Sequence, residues 1–292
     1  MSDFDKERIK FDYAQIGGVK LHYAAAGDGN KLVILLHGFP EFWYSWRHQI
    51  RALSDEYTVV APDMRGYNLS DKPLNVADYS IDKLVDDTIG LIRHLGFENA
   101  AIVGHDWGAV VAWAVARNQP EYVWKLCAMQ VPPTDVWRKN QTFKQFLASW
   151  YMFFFQIPAL PEWLLSRNDF ALLANGLKTS TAEPDVFTDA DVAEYKKSWR
   201  EDRALSSALN YYRANVLQRI FAGDAAEDAK IKVPTLFIYG ERDQAVLPSS
   251  VEGIGDVIDA PYSEIRIPDA GHWVQQEAAE IVTDSLREFL AE

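Results

Sequence analysis

An aspartate flanked by two glycines, in Gly104-His105-Asp106-Trp107-Gly108, stands where the apolar run Ala100-Ala101-Ile102-Val103 gives way to a helix-like stretch over 109–117. This is the form of a nucleophile elbow with a carboxylate in place of the usual hydroxyl. A sharp strand-to-helix turn forces its central residue into sparsely allowed backbone space, and flanking glycines let strand and helix close together. Serine there would need a base to take its proton, whereas a free aspartate side chain, with a pKa of about 3.9 in water, is already an anion. Such a carboxylate can attack an sp3 carbon, displace a leaving group and remain as an alkyl ester that water must hydrolyse. An aspartate ahead of a helix also serves as a plain N-cap. The glycines, and the partners that follow, put the nucleophile ahead of the cap.

Two later segments carry groups that ester hydrolysis needs. Gly240-Glu241-Arg242-Asp243 follows the apolar run 235–239, and Pro268-Asp269-Ala270-Gly271-His272-Trp273 follows the run 263–267. Loops beyond the carboxyl ends of strands are where open α/β sheets bind ligands. The chain order nucleophile, acid, histidine is also one that such sheets use. His272 would take a proton from water while Asp243 fixes its tautomer and stabilises the imidazolium. Asp135 and Glu241 compete for the acid's role, with Asp243 ranked first. His22, His37, His48, His94 and His105 read as structural, and His105 should point away from Asp106. The turn His37-Gly38-Phe39-Pro40 offers backbone donors, so the N–H groups of Phe39 and Trp107 are the expected oxyanion hole. Phe39-Pro40 is expected to be cis.

These residues need a sheet to hold them at one edge. Continuous apolar runs at 31–36, 57–61, 100–103, 126–131, 235–239 and 263–267 suit strands covered on both faces, and 11–25, broken by Gly17-Gly18, alternates like a hairpin. Between them, Ile81, Leu84, Val85, Ile89, Ile92 and Leu95 recur with helical period and end at Gly96, placed for a left-handed cap. The expected class is α/β, a mostly parallel twisted sheet with helices on both faces. The rhythm stops after Pro132-Pro133. Helical candidates at 142–155, 189–199 and 202–217 predict an inserted helical cap, dividing the chain into core (1–132), cap (133–222) and core (223–292).

A formal net charge of −13 argues against nucleic acid and anionic membranes as partners. Cys127, the single cysteine, cannot form an internal disulfide and reads as a small core residue. The polar start Met1-Ser2-Asp3-Phe4-Asp5-Lys6-Glu7-Arg8 lacks the character of a signal peptide, and a cytoplasmic protein is expected. Aromatic residues crowd 137–163, where lining a pocket becomes plausible.

Nearly the whole chain resembles the epoxide hydrolases of the α/β-hydrolase superfamily. The likeness is carried by His37-Gly38-Phe39-Pro40-Glu41 with Trp43-Tyr44-Ser45-Trp46-Arg47, by Asp63-Met64-Arg65-Gly66-Tyr67 with Ser70, and by the elbow itself. The resemblance implies a small apolar epoxide and water as substrates, a vicinal diol as product, and no metal or organic cofactor. It also implies two cap tyrosines holding the epoxide oxygen, matched by Tyr151 in Trp150-Tyr151-Met152 and Tyr212 in Asn210-Tyr211-Tyr212-Arg213. A phenol with pKa about 10 can donate a hydrogen bond, and then a proton as alkoxide charge builds. Tyr211 competes with Tyr212, and neighbours on a helix point about 100° apart, so only one can face Asp106. Trp107, Phe39 and both tyrosines would contact substrate. Haloalkane and haloacetate dehalogenases share an aspartate nucleophile and are the enzymatic alternative. Haloalkane dehalogenases usually carry asparagine where Phe39 stands, to help hold the departing halide, a task that Trp107 would suit, so that match is partial. Haloacetate dehalogenases usually carry arginine where Trp107 stands and tryptophan where Tyr151 stands. A non-catalytic small-ligand-binding homologue is a third reading, and a homodimer is left open.

Overall fold

The computed structural model describes residues 8–221 and 229–292. The amino-terminal residues 1–7 and the expected cap-to-core boundary at 222/223 lie outside them.

Eight strands form one sheet: β1 (Lys10–Ile16), β2 (Val19–Ala26), β3 (Leu32–Leu36), β4 (Thr58–Pro62), β5 (Ala100–His105), β6 (Val123–Met129), β7 (Thr235–Gly240) and β8 (Tyr262–Ile267). Their spatial order is β1-β2-β4-β3-β5-β6-β7-β8. The hairpin β1–β2 is antiparallel and pairs antiparallel with β4, while every other pairing is parallel. Covered strands must be apolar on both sides, and β3, β5 and β7 are buried at every residue.

Helices α1 (Arg47–Leu53), α2 (Ile81–His94) and α3 (Trp107–Asn118) connect the first strands. The apolar stripe of α2, Ile81, Leu84, Val85, Ile89 and Ile92, is buried, and Gly96 beyond it adopts φ +81°. Cys127 is buried in β6, as expected of a core residue. Between β6 and β7 the described elements are all helical: α4 (Thr134–Lys139), α5 (Phe143–Ala148), α6 (Trp150–Phe154), α7 (Leu160–Thr179), α8 (Asp189–Trp199) and α9 (Ala204–Phe221). The last helices are α10 (Val274–Glu277) and α11 (Ala279–Ala291).

Two details differ from the sequence reading. The stretch 142–155 is two short helices meeting at Ser149 rather than one. The second is α7, which has no counterpart in that reading. It is interrupted at 167–170, where Asn168, Asp169 and Phe170 take positive φ of 50°, 57° and 59°. Pro158, Pro161 and this left-handed break obscure its period.

Candidate active site

Strand β5 ends at His105 and α3 begins at Trp107, leaving Asp106 alone to make the turn at φ +51°, ψ −117°. The Asp106 side chain caps no helix amide. Its Oδ1 instead accepts the Phe39 N–H at 2.8 Å. Such strain persists only where the surroundings enforce it, and the close approach of strand and helix does so here. A Cβ at Gly108 would lie 2.0 Å from the Leu36 carbonyl oxygen, and one at Gly104 would lie 2.3 Å from that of Gly108. Gly108→Ala should therefore displace α3 from β3 and cost about 3 kcal/mol, measured by urea unfolding. A loss below about 0.5 kcal/mol would show that the elbow tolerates the methyl group.

His272, in the loop after β8, sets Nδ1 2.8 Å from Asp243 Oδ2 and turns Nε2 toward Asp106 Oδ2 at 3.8 Å. Burial alone would push the imidazole pKa down. The Asp243 charge and hydrogen bond outweigh it, Asp106 and Glu41 add to them, and the value rises to about 9. Asp243 is buried, its Oδ1 accepting the N–H groups of Ala245 at 2.7 Å and Val246 at 3.0 Å. Of its competitors, Asp135 pairs with Arg117 at 3.1 Å and Glu241 is exposed.

The sequence reading missed Gln130, just past the end of β6. Fully buried at φ +67°, it donates from Nε2 to Asp243 Oδ2 and to the Gly271 carbonyl, both at 2.8 Å. Its Oε1 accepts the Gly240 N–H at 2.6 Å. One side chain thus ties together the loops carrying Asp243 and His272. The available signal was a polar residue at the carboxyl end of an apolar strand.

His105 turns away from Asp106, with Nδ1 2.8 Å from Glu41 Oε2 and Nε2 2.8 Å from the His272 carbonyl oxygen. His22 bonds Asp63 at 2.6 Å, and His37 accepts the Met64 N–H at 3.0 Å. Phe39-Pro40 is cis.

Two cavities meet at Asp106, and Tyr151 and Tyr212 line both. The first runs past Val110, Val131, Trp137, Met152 and Val216. The second passes Phe39, Leu172, Leu177, His272 and Trp273. Tyr151 comes from α6 and Tyr212 from α9, with ring centroids 6.0 Å apart. Tyr212 is held edge-on by Trp107 at 5.1 Å, Phe155 at 5.0 Å and Phe39 at 5.5 Å. Burial first, then the Asp106 charge, raises both phenols above their ordinary pKa, so they stay protonated donors across the working range. Tyr211 points elsewhere, donating its hydroxyl to the Arg65 carbonyl at 2.7 Å. A half-buried carboxylate, an imidazole 3.8 Å from it and two phenols on a shared apolar cavity can together open a polar ring and hydrolyse an ester.

Residues 31–279 match the family model of the alpha/beta hydrolase fold. The chain belongs to the α/β-hydrolase family. Within it, this α/β-hydrolase is 40% identical to the AB hydrolase superfamily protein YfhM of Bacillus subtilis, over 97% of this chain and 98% of that one. Epoxide hydrolase A of Mycobacterium tuberculosis is 35% identical, with 94% of each chain covered. Among solved structures, a Bacillus megaterium epoxide hydrolase in complex with an inhibitor superposes at a TM-score of 0.85 with 33% identity, over 96% of this chain and 100% of that one. Among the described residues of this α/β-hydrolase, no helix is long and apolar enough to cross a membrane.

Proposed function

We propose that this α/β-hydrolase converts an apolar epoxide to a vicinal diol through an ester on Asp106. The observation that carries this is the placement of Asp106 between His272 Nε2, at 3.8 Å, and the phenols of Tyr151 and Tyr212, which line the same cavities. The named relatives that are epoxide hydrolases support the same reading.

The two oxygens of Asp106 are not equivalent. Oδ1 is already held by the Phe39 N–H, so Oδ2 is the atom free to attack a ring carbon. Tyr151 and Tyr212 donate to the ring oxygen and pass it a proton as the C–O bond breaks. The ester then has its carbonyl oxygen, Oδ1, at the Phe39 donor. Oxyanion charge therefore develops where a dipole is already aimed, with the Trp107 N–H as the second donor. His272 deprotonates a water that attacks Cγ of Asp106, and Asp243, braced by Gln130, stabilises the imidazolium. Residues 133–222 act as a cap that supplies the tyrosines, while core segments 1–132 and 223–292 supply the other groups. The scheme uses no metal or organic cofactor.

Haloalkane dehalogenase chemistry has only part of its usual support, since Trp107 suits holding a halide, and haloacetate chemistry lacks its carboxylate clamp. Phe39 offers no side-chain donor to a halide, and the position of a carboxylate-binding arginine holds Trp107. Incubation with styrene oxide and, separately, with fluoroacetate tests the reading, with diol expected from the first and no fluoride from the second. Fluoride without diol would overturn it.

Tyr212→Phe removes one donor from the departing oxygen and should lower kcat/KM about 10²-fold, with Tyr151→Phe similar. The pair together should lose more than either, measured as diol formation. Folding should be preserved, because only the hydroxyl is lost.

The pH dependence separates the two steps. Ester hydrolysis needs neutral His272, and forming the ester removes the Asp106 charge that helps raise the imidazole toward about 9. Single-turnover ester decay should therefore speed up as pH rises and level off below pH 9. A decay rate that falls with rising pH would contradict His272 as the base.

A further inference from the structure

Helix α5 is amphipathic the wrong way round, and its outward aromatic face runs on into α6. Phe143, Phe146, Leu147 and Trp150 recur at i, i+3, i+4 and i+7, the spacing of one helical face. They are all solvent-exposed, Phe143 at 77% and Trp150 at 62%. The ring contact of Phe146 with Phe153 at 5.5 Å carries that face across the junction at Ser149, and Trp150 packs on Phe154 at 5.8 Å within α6. The opposite side, turned into the protein, holds the buried polar residues Gln145 and Ser149. Gln145 donates to Ser149 Oγ and the Ala245 carbonyl, and accepts from the Leu247 N–H and the Ser250 hydroxyl. A helix that turns its polar side inward and its aromatic side outward is built to meet something apolar.

Charge identifies what that is. The chain carries 42 acidic and 29 basic residues, yet positions 136–161 contain no Asp or Glu and include Arg138, Lys139 and Lys144. Lys139 and Lys144 are exposed, and beyond this stretch Arg167 stacks on the exposed Trp163 at 4.6 Å. Basic residues beside tryptophan and phenylalanine on a surface helix are the composition of an interfacial membrane anchor. A second copy docking on the same face would bring Lys139 and Lys144 toward their own counterparts, whereas an anionic lipid surface complements them. The net charge of −13, which at the level of composition argues against such a membrane, averages over this face. Charges elsewhere on the molecule are screened beyond about 8 Å at physiological salt. The same segment lines the cavity through Ala148, Tyr151 and Met152, and nearby Leu172 both lines the cavity and reaches solvent.

We propose that the outward face of α5 and α6 seats this protein on anionic phospholipid surfaces, with the cavity rim at Leu172 close to the lipid. Apolar epoxides concentrate in lipid, so this seating would draw substrate from the bilayer rather than from water.

The test is co-sedimentation of the full chain with vesicles of phosphatidylglycerol and phosphatidylcholine, and with vesicles of phosphatidylcholine alone. Binding is expected to the mixed vesicles, weakened by salt and at least about tenfold weaker to the neutral ones. Phe143→Ser combined with Trp150→Ser should reduce binding more than about tenfold. Neither residue lines the cavity, so hydrolysis of a water-soluble epoxide should be unchanged in that variant. No binding to mixed vesicles, equal binding to both compositions, or undiminished binding of the double variant would each overturn the proposal. So would a dimer in solution that the double variant abolishes while the parent ignores vesicles, because a second copy would then cover this face.

Discussion

The His272→Gln variant should consume one equivalent of epoxide and stop, its mass raised by that of the substrate, while steady-state kcat falls about 10³-fold or more. The expectation follows from where the imidazole sits. His272 Nε2 lies 3.8 Å from Asp106 Oδ2, too far for a direct hydrogen bond but suited to a water between them once Oδ2 is esterified. The carboxylate needs no help to attack, so ring opening should survive the substitution. Glutamine keeps a polar side chain near Asp243 but cannot take a proton from water. Intact-protein mass spectrometry after mixing with styrene oxide reads the outcome, and peptide mapping should place the adduct on Asp106. An unmodified variant with no turnover would mean that His272 takes part in the first step. An unmodified variant that still forms diol would remove the ester from the scheme. A non-catalytic ligand-binding protein would show neither adduct nor diol even with His272 in place.

Most of the sheet was legible because covered parallel strands need continuous apolar runs, and the six such runs match β3 to β8 within a few residues. The elbow was legible for a different reason. Glycine at 104 and 108 is the only way to admit the backbone contacts found there, so it leaves a mark in the sequence. Pairwise choices were harder. Asp135 and Asp243 both follow strands, and what separates them is Arg117 of α3, 18 residues from Asp135 in the chain, which pairs with Asp135 at 3.1 Å. Tyr211 and Tyr212 are adjacent, and the side facing Asp106 depends on how α9 is rotated. That rotation is set by a hydrogen bond from Tyr211 to the Arg65 carbonyl, far off in sequence. Gln130 left only the faint mark of a polar residue at a strand end, because its role comes from a positive φ and from loops 110 or more residues away. The aromatic crowd at 137–163 suggests some pocket lining among residues that are mostly ordinary core. Tyr151, Met152 and Trp137 do line the cavity, but Phe143, Phe146 and Trp150 face solvent. Helical spacing shows that two faces differ without saying which one turns inward.

Asp106→Ala should lower diol formation by about 10⁴-fold or more and, combined with His272→Gln, should leave the protein without any adduct. No neighbouring group can replace it: Asp243 is buried against His272 and Gln130, and the phenols are held protonated chiefly by their burial, which the substitution leaves in place. An isotope experiment on the unsubstituted protein reads the same claim without disturbing the site. With enzyme in excess over epoxide in heavy-oxygen water, the first turnover should release diol whose new oxygen came from the Asp106 carboxylate, and so carries no label. The label should appear in the peptide containing Asp106, because water attacks Cγ and leaves its oxygen there. Direct attack of water on the ring would give the reverse, labelled diol and an unlabelled carboxylate. Under that outcome His272 would activate water against the epoxide itself. The strained turn that lifts Asp106 toward the cavity, at φ +51°, would then have no chemical purpose.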